Sequence, residues 1–272
     1  FIFNSLVFSY IEFMASSKEI QSSILKRLIK KFLSQFGYEI KRINNFMDRY
    51  GNSITEASED TMSQLKFFSE KSLATIPNLW SISQIIKYIS DNNIEGDIVE
   101  CGIYNGSTLA FISKNLKKNN LSKNIWGYDT FEEGFLLENY TEKDLYPKNK
   151  KQQFIKKNAI HPSVSDVIKN INELDNYDEN IIKLIKGDIL KTLNSKSNIP
   201  DKISFLRMDT DIYATTLKQL EVLYPKLAVG GILHIDDYGM CPGVRMAVDE
   251  YFSNKKIWLH RVDLTCRYLI KT

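Results

Sequence analysis

The sequence predicts an α/β fold with a mostly parallel β-sheet, because short apolar runs alternate with helical patterns along much of the chain. Residues 203–208 and 232–235 are apolar runs separated by a helical pattern, which is typical of a strand–helix–strand unit. Earlier in the chain, residues 98–99 and 125–128 are apolar runs on either side of a helix that begins at Ser107. Strands joined by one helix lie parallel, so their carboxyl ends meet at one edge of the sheet. Ligands bind along that edge in open α/β sheets.

The composition indicates one large α/β domain with additional segments. The chain has 272 residues, of which 43% are hydrophobic and 25% are charged, as in ordinary globular proteins. A net charge of +3 is too small to indicate nucleic-acid binding. The cysteines, Cys101, Cys241 and Cys266, are widely spaced and form no C-x-x-C motif. This spacing favours a reducing cytoplasm over a disulfide framework or a zinc site.

An N-terminal helical extension is predicted at residues 1–70, followed by the main domain at residues 71–272. Residues 1–13 contain an apolar segment that Glu12 interrupts; it is too short to span a bilayer, and the basic segment of a signal peptide is lacking. Residues 17–42 have the pattern of an amphipathic basic helix. We expect this helix to pack on its own domain or on a second subunit of a homo-oligomer, and contact with an anionic membrane surface is the less expected alternative. In the main domain, a core helix is predicted from about Ser81.

The strand at residues 98–99 leads into a glycine-rich turn, E-x-G-x-x-x-G. Its residues are Glu100, Gly102 and Gly106, and a helix starts at Ser107. Because glycine has no Cβ, we expect this turn to let the backbone approach a ligand closely. A strand-to-helix turn of this kind is compatible with NAD, FAD, another nucleotide or S-adenosylmethionine.

Acidic residues also follow the second and third predicted strands. Asp129 follows residues 125–128, roughly 20 residues after the glycine-rich turn, and suits a ribose diol because a carboxylate accepts two hydroxyl hydrogen bonds. The alternative is an exposed turn residue, but together with the turn Asp129 favours an adenosine ligand. Asp188 follows the strand at residues 181–186. It is predicted to bond an adenine amino group, to cap the helix at residues 189–193, or both.

A polar insertion at residues 135–180 is a candidate substrate lid, because it leaves the sheet at the ligand edge. It contains a predicted helix near residues 163–174, capped by Ser163 or Ser165. Its basic run at residues 148–157 is predicted to be a solvated face.

Two pairs of carboxylates follow the two strands of the strand–helix–strand unit. Asp209 and Asp211 follow the first strand, and Asp236 and Asp237 follow the second. Two carboxylates about 4 Å apart repel by about 4 kcal/mol at an effective dielectric constant of 20, so such a group must protonate, move apart or hold a cation. Oxygen ligands without histidine or cysteine favour Mg²⁺, Ca²⁺ or Mn²⁺ over zinc. The alternative is that these are solvated loop acids.

The end of the chain is predicted to complete the sheet. The helix after Asp211 is expected to stop at residues 228–231, which contain two glycines. His234, in the strand that follows, is predicted to be a packed core histidine. Residues 257–262 and 267–271 are predicted to form a closing antiparallel pair.

With these motifs the chain resembles the macrocin O-methyltransferase (TylF-type) family of class I, Rossmann-like methyltransferases. The resemblance rests on the segments GDIVECGIYNGST, WGYDTFEEGF, IKGDI, FLRMDTDIYATTLKQLEVLYPKLAVGGILHIDDYG and PGVRMAVDEYF, which follow the family's order. It implies a seven-stranded, mostly parallel sheet with helices on both faces, and S-adenosylmethionine bound across the ends of the first four strands. The cofactor-binding residues that it implies are Glu100, Gly102, Gly106, Ser107, Asp129 and Asp188.

The resemblance also implies a Mg²⁺ site formed by Asp209, Asp236 and Asp237, with Asp211 as the general base. One departure is Thr210, where relatives often carry glycine. The implied reaction transfers a methyl group from S-adenosylmethionine to a hydroxyl of a sugar or glycosylated natural product. A catechol-like or other diol acceptor is the nearest alternative. An NAD-dependent oxidoreductase and a non-catalytic protein at a membrane surface are the alternatives from other classes.

Overall fold

The computed structural model describes residues 54–145 and 161–272, together with two isolated positions, Leu33 and Gln35. The part of the chain from Ser53 to Thr272 forms one compact unit. Apart from the two isolated positions, the predicted basic helix at residues 17–42 lies outside the described residues, as does the basic run of the insertion. The division of the chain at residue 70 stays a prediction. Within the described ranges, no helix combines the length and the apolar character needed to cross a membrane.

One seven-stranded sheet lies at the centre of this unit. Its strands are β1 (Asp97–Cys101), β2 (Ile125–Asp129), β3 (Ile182–Lys186), β4 (Ile203–Met208), β5 (Leu227–Ile235), β6 (His260–Arg261) and β7 (Arg267–Ile270). Their order is β3-β2-β1-β4-β5-β7-β6. Among the described strands, β7 pairs antiparallel with both β5 and β6, and the other pairs are parallel. This confirms the predicted mostly parallel sheet and its closing antiparallel pair. The strand order reverses between β1 and β4, and α/β proteins bind ligands at such a switch point.

Helices cover both faces of the sheet. They are α1 (Glu59–Lys71), α2 (Ile76–Asp91), α3 (Ser107–Lys118), α4 (Val164–Leu174), α5 (Ile189–Thr192), α6 (Tyr213–Val222) and α7 (Pro242–Tyr251). Successive residues of a strand face opposite sides, so each central strand contributes to two cores. Ile98, Phe205 and Ile232 pack with α1 to α4 on one face, whereas Val99 and Leu206 pack with α5 to α7 on the other.

Strand β5 starts earlier than predicted, so the expected helix stop at residues 228–231 is wrong. A short 3₁₀ turn follows α6, and β5 already begins at Leu227, which pairs with Ile203 of β4. Gly230 donates its amide to the carbonyl oxygen of Lys271, so the glycines lie in an irregular part of the strand. The backbone there needs a φ of +80°, which glycine tolerates because it has no Cβ.

Helix α2 also begins earlier than the predicted start near Ser81. Thr75 caps it by accepting a hydrogen bond of 3.2 Å from the amide of Asn78, and Pro77 lies in its first turn. A proline there marks a helix start, because its missing N–H would have no partner in the helix. The earlier start brings Thr75 and Asn78 to the residues that follow β5 and β6.

The insertion contains the predicted helix α4. Ser163 caps it by accepting a hydrogen bond from the amide of Asp166 at 3.2 Å, and the carboxylate of Asp166 accepts the Ser163 amide at 3.0 Å. This reciprocal pair is a capping box. Near the start of the insertion lie two 3₁₀ turns, Leu137–Asn139 and Glu142–Asp144. The lid function of the insertion stays a prediction.

Candidate active site

Two cavities meet at the carboxyl edge of the sheet. The acid cavity has a volume of about 440 Å³ and is bounded by the aspartates that follow β4 and β5. The turn cavity has a volume of about 590 Å³ and is bounded by the turns that follow β1, β2 and β3. Gly102, Asp209 and Asp211 line both cavities, so these residues stand between the two spaces.

Asp129 shapes the turn cavity. Its Oδ2 accepts hydrogen bonds from the amides of Ile103 at 2.8 Å and Tyr104 at 2.9 Å, and its Oδ1 accepts one of 2.7 Å from the amide of Phe131. The carboxylate therefore holds the turns after β1 and β2 together. It also lines the cavity, so the predicted contact with a diol remains geometrically accessible.

The glycines of the first turn are required by contacts within the protein. A Cβ on Gly102 would lie 1.8 Å from the backbone oxygen of Asp209, and one on Gly106 would lie 2.8 Å from Cγ1 of Val167. Their φ angles, +83° and +77°, also favour glycine. Gly102 borders both cavities, whereas Gly106 packs against α4 and borders neither.

Two further residues with a predicted cofactor role lie behind the cavities. Glu100 is fully buried in β1, where its Oε1 accepts a hydrogen bond of 2.9 Å from Arg207. Ser107 is also fully buried and donates its hydroxyl to the carbonyl oxygen of Lys71 at 3.0 Å. Neither side chain lines a cavity. The cofactor roles of Glu100, Ser107 and Gly106 stay predictions, and the contacts found for each are with the protein core.

Asp188 lines the turn cavity and caps α5. Its Oδ1 accepts hydrogen bonds from the amide of Leu190 at 3.0 Å and from Nδ2 of Asn139 at 3.1 Å. The capping prediction is therefore confirmed. The predicted contact with an adenine amino group stays a prediction, for which Asp188 has the right position at the cavity wall.

The four aspartates that follow β4 and β5 lie close together. Asp209, Asp236 and Asp237 each place a carboxylate oxygen within 4.8 Å of the other two, and Asp211 and Asp237 form a second group with Cys241. Asp211 and Asp237 have φ angles of +63° and +55°, in the left-handed region that residues with a Cβ rarely adopt. Such conformations persist where the surrounding contacts hold them, and they concentrate at functional sites.

A buried arginine that the sequence analysis did not single out lies among these acids. Arg207 is 1% exposed, and its NH1 donates to Glu100 at 2.9 Å and to Asp209 at 2.6 Å. Its NH2 donates to Asp236 at 2.8 Å. The repulsion expected among the acids is therefore partly offset by a cation of the protein itself. The sequence did contain a signal, because residues two apart in a strand share a face and the motif R-x-D places Arg207 beside Asp209.

Burial raises the pKa values of the clustered acids. The pKa of Glu100 rises to about 8 through burial, although the guanidinium beside it acts in the opposite direction. Burial likewise raises the pKa values of Asp209 and Asp211 to about 6 and that of Asp236 to about 7. At Asp237, burial and the neighbouring Asp211 carboxylate both raise the pKa. Where these acids ionise, one arginine does not balance their charge, and a divalent cation would offset the remainder.

These shifts predict that the protein without bound metal becomes less stable as the pH rises from 7 to 8.5. A carboxylate whose pKa is higher in the folded state than in the unfolded state stabilises the fold below its unfolded pKa, and that stabilisation is lost as the pH passes its folded pKa. The pKa of Glu100 at about 8 falls in this window. Burial lowers the pKa of His234, and the pKa of an unfolded histidine lies below this window, so His234 adds little to the change above pH 7. We expect the free energy of unfolding, measured with urea in the presence of EDTA, to fall by about 1 to 2 kcal/mol.

The variant Glu100→Gln serves as the matched test of this pH dependence. Glutamine keeps the shape of the side chain but cannot ionise, so the loss of stability between pH 7 and 8.5 should become smaller. A free energy of unfolding that stays constant or rises over this range in the original protein would contradict the prediction.

The carboxylate oxygens of this cluster are suitable ligands for a hard divalent cation. Oxygen ligands lie about 2.0 to 2.6 Å from Mg²⁺ or Ca²⁺, so oxygens of one shell are separated by up to about 4 to 5 Å. The spacing of within 4.8 Å among Asp209, Asp236 and Asp237 meets this condition. Only carboxylates make up this group, which suits Mg²⁺, Ca²⁺ or Mn²⁺ better than softer metals.

Hydrogen bonds from distant parts of the chain hold Asp236. Its Oδ1 accepts from Nδ2 of Asn78 and from the hydroxyl of Thr265, both at 3.3 Å. Asp263 accepts from the hydroxyl of Thr75 at 2.6 Å and from the amide of Thr265 at 2.9 Å. These bonds join the start of α2 to the turn between β6 and β7. Sequence reasoning missed them, since 158 residues separate Asn78 from Asp236.

His234 is the packed core histidine that the sequence predicts. It is fully buried, with Oγ of Ser81 at 3.2 Å and Sγ of Cys266 at 3.1 Å from its Nε2. Its ring packs edge-on against Phe205. His234 therefore belongs to the support beneath the acids rather than to the cavity wall.

Comparison with known proteins identifies relatives of this chain and of its fold. Residues 70–271 match the sequence model of the family described as macrocin-O-methyltransferase (TylF). The chain is 32% identical over 178 residues to demethyldecarbamoylnovobiocin O-methyltransferase of Streptomyces niveus, a match that covers 65% of each chain. It is 23% identical over 177 residues to 8-demethyl-8-(2,3-dimethoxy-alpha-L-rhamnosyl)-tetracenomycin-C 4'-O-methyltransferase of Streptomyces olivaceus, again over 65% of each chain.

A solved structure agrees with these sequence matches. The O-methyltransferase NovP superposes with a TM-score of 0.64 at 29% sequence identity, over 74% of this chain and 82% of that chain. The fold is therefore that of the class I, Rossmann-like methyltransferases. The matches to the two curated relatives span slightly less than two thirds of their length.

Proposed function

Because the chain belongs to the macrocin-O-methyltransferase (TylF) family, we propose that it transfers a methyl group from S-adenosylmethionine to a hydroxyl of a sugar or glycosylated natural product, with the help of Mg²⁺. The observation that carries this proposal is the position of the acids in the wall shared by two cavities. A donor in the turn cavity and an acceptor in the acid cavity would meet at Asp209 and Asp211. The curated relatives support an O-methylation, and one of them is named for a rhamnosyl substrate.

The turn cavity suits the methyl donor. Asp129 and Asp188 present carboxylates at its wall, which can accept hydrogen bonds from ribose hydroxyls and from an adenine amino group respectively. The backbone at Gly102 borders both cavities and would lie beside the methionine part of the donor. The volume of the turn cavity, about 590 Å³, is in the range of small-molecule sites.

The acid cavity suits a hydroxylated acceptor and a cation. Asp209, Asp236 and Asp237 would hold Mg²⁺, and Arg207 and Asn78 keep two of these carboxylates in place. When bound, the donor supplies an electrophilic methyl group and the cation makes an acceptor hydroxyl more acidic. Exposed apolar side chains at the mouth of both cavities suit the apolar parts of such an acceptor; they are Leu73, Tyr104 and Phe135.

Asp211 is the proposed general base. It lines both cavities, and burial raises its pKa to about 6. A base with a pKa slightly below the working pH is mostly ionised and still accepts a proton readily, which is the favourable range for proton transfer. Its carboxylate would take the proton of the acceptor hydroxyl, while the walls of the two cavities hold the reacting groups at near-attack distance.

The proposal is tested by assaying a panel of glycosylated acceptors with S-adenosylmethionine, with and without EDTA. We expect methylated product from at least one glycoside in Mg²⁺, and a loss of at least about 100-fold in rate when EDTA removes the cation. Calorimetry should show that S-adenosylmethionine still binds in EDTA with a similar Kd, because the turn cavity does not depend on the metal. Full activity in EDTA would contradict the metal role.

Two further outcomes separate the parts of the proposal. Methylation of catechol-like diols but of no glycoside would contradict the proposed acceptor class. The proposed reaction, methyl transfer to a hydroxyl, would remain supported. Failure to bind S-adenosylmethionine, together with binding of NAD, would contradict the methyl transfer itself.

A further inference from the structure

The helix that follows the proposed general base has no cap of its own. Helix α6 begins at Tyr213, and the residue before it, Ile212, has an apolar side chain that cannot accept a hydrogen bond. The first amides of a helix need partners from outside the helix. The amide of Tyr213 finds one in Oδ1 of Asp144, at 2.6 Å. Asp144 is 69 residues earlier in the chain, within the insertion.

The carboxylate of Asp144 is itself fixed on several sides. Its Oδ2 accepts hydrogen bonds from the amide of Thr141 at 2.8 Å and from the hydroxyl of the same residue at 3.0 Å. The residue is 9% exposed. A Cβ on Gly243, in the first turn of α7, would lie 1.8 Å from its Oδ1. Asp144 thus lies at the start of both helices, α6 and α7, that follow the acid-bearing strands.

The segment that Asp144 contacts, just after Asp211, belongs to a part of the proposed active site whose backbone is strained. Asp211 lies two residues before Tyr213 and has a φ of +63°. For a residue with a Cβ, this left-handed conformation is disfavoured, because the Cβ comes too close to the following carbonyl oxygen. Neighbouring contacts must therefore hold it on both sides. Before Asp211, Nε2 of Gln219 in α6 donates to Oγ1 of Thr210 at 2.7 Å. After it, the Tyr213 amide donates to Asp144, which belongs to the insertion. A negative charge at the start of a helix adds a favourable interaction with the helix dipole.

We propose that Asp144 is a positioning residue for Asp211: by capping α6 from the insertion, it holds the general base in its reactive orientation. This inference rests on the proposed function, in which Asp211 takes the acceptor proton. Through Asp144, the insertion that borders the acceptor is coupled to the proton-accepting carboxylate.

The variants Asp144→Ala and Asp144→Asn test this role. Alanine removes the acceptor for the Tyr213 amide, so we expect kcat to fall by about 30- to 100-fold, since a displacement of about 1 Å at the reacting groups can cost about 100-fold. The KM for the acceptor and the Kd of S-adenosylmethionine should stay within about twofold. Asparagine keeps an oxygen for the Tyr213 amide, so its kcat should stay within about fivefold of the original protein. The control Glu142→Gln removes one negative charge from the same turn at an exposed position and should change kcat by less than about twofold.

Hydrogen exchange gives a second readout that does not depend on turnover. In Asp144→Ala the amide of Tyr213 should exchange at least about tenfold faster, whereas the amides of β4 should remain protected. If the alanine variant fails to fold, Thr141→Val removes one of the bonds that orient Asp144 and should lower kcat in the same direction by about three- to tenfold.

Four results would overturn the inference. One is a kcat within twofold of the original in Asp144→Ala or, where that variant does not fold, in Thr141→Val. The second is a rise in acceptor KM with unchanged kcat, which would make Asp144 an acceptor contact. The third is an equal loss in the asparagine and alanine variants, and the fourth is unchanged exchange at Tyr213. Failure of the proposed function would look different, because the original protein would then methylate none of the acceptors while the exchange at Tyr213 still responded to Asp144→Ala. Normal turnover in Asp211→Asn would contradict only the assignment of the base.

Discussion

Asp211→Asn should abolish methyl transfer while leaving the site otherwise intact. A positioned general base contributes about 10²- to 10⁴-fold to a rate, so we expect kcat to fall at least about 100-fold. Asparagine has nearly the same shape and tolerates the left-handed backbone found at Asp211, so the fold should not be disturbed. Calorimetry with S-adenosylmethionine and with Mg²⁺ should give Kd values within about threefold of the original, because neither ligand is assigned to this carboxylate.

The matched control is Asp201→Asn, which makes the same chemical change at an exposed position just before β4, at the opposite end of that strand. Its kcat should equal that of the original protein. An Asp211→Asn enzyme that retains more than about a tenth of the original kcat would contradict the assignment of the base. A loss of cation binding in the same variant would instead make Asp211 a metal ligand.

Arg207→Met should produce the largest loss of stability among the site variants. The guanidinium is buried between three carboxylates, and removing one partner from a buried ion pair costs about 3 to 5 kcal/mol, because the remaining charges lose their compensation. We expect the free energy of unfolding in EDTA at pH 8 to fall by about this amount. The loss should be smaller at pH 6, where more of the clustered carboxylates are protonated in the folded state, since burial raises their pKa values.

Two comparisons separate charge from packing. Arg207→Lys keeps the charge but loses the planar fork that bonds neighbouring carboxylates, so its loss should lie between that of the methionine variant and zero. Arg245→Met removes an exposed arginine and should cost less than about 1 kcal/mol. Addition of Mg²⁺ should recover part of the loss in Arg207→Met if the acids hold a cation. A loss below about 1 kcal/mol in Arg207→Met at pH 8 would show that the acids do not need this counter-ion.

Much of the fold and part of the site could be predicted from local patterns. The apolar runs that form β1 to β5 are each bounded by helical patterns, and this alternation alone indicates a parallel sheet. Because parallel strands present their carboxyl ends at one edge, the aspartates after β4 and β5 had to lie near each other. The same reasoning predicted that Asp129 and Gly102 lie at this edge, where both line the turn cavity; their cofactor roles stay predictions. Each of these predictions uses only the distance along the chain between neighbouring residues and the period of a strand or helix.

The errors in the prediction also have local causes. Gly230 and Gly231 have the composition of a helix stop, yet they lie within β5, because pairing with β4 and β7 outweighs the local preference of glycine. The cofactor roles of Glu100 and Ser107, by contrast, stay predictions. Both side chains are buried and line neither cavity, and the direction of each depends on what packs behind the strand. That packing is not visible in the turn itself.

The sequence by itself determined the order of strands and helices, the edge at which the site lies, and the set of acids that surround it, because those properties follow from short-range periodicity. Only the tertiary structure decided which charges pair and which side chains reach the cavities. Arg207 meets Glu100 across 107 residues, and Asp144 caps α6 across 69. Contacts between residues so far apart along the chain are determined by how the strands and helices pack against one another. No local sequence pattern identifies the two partners.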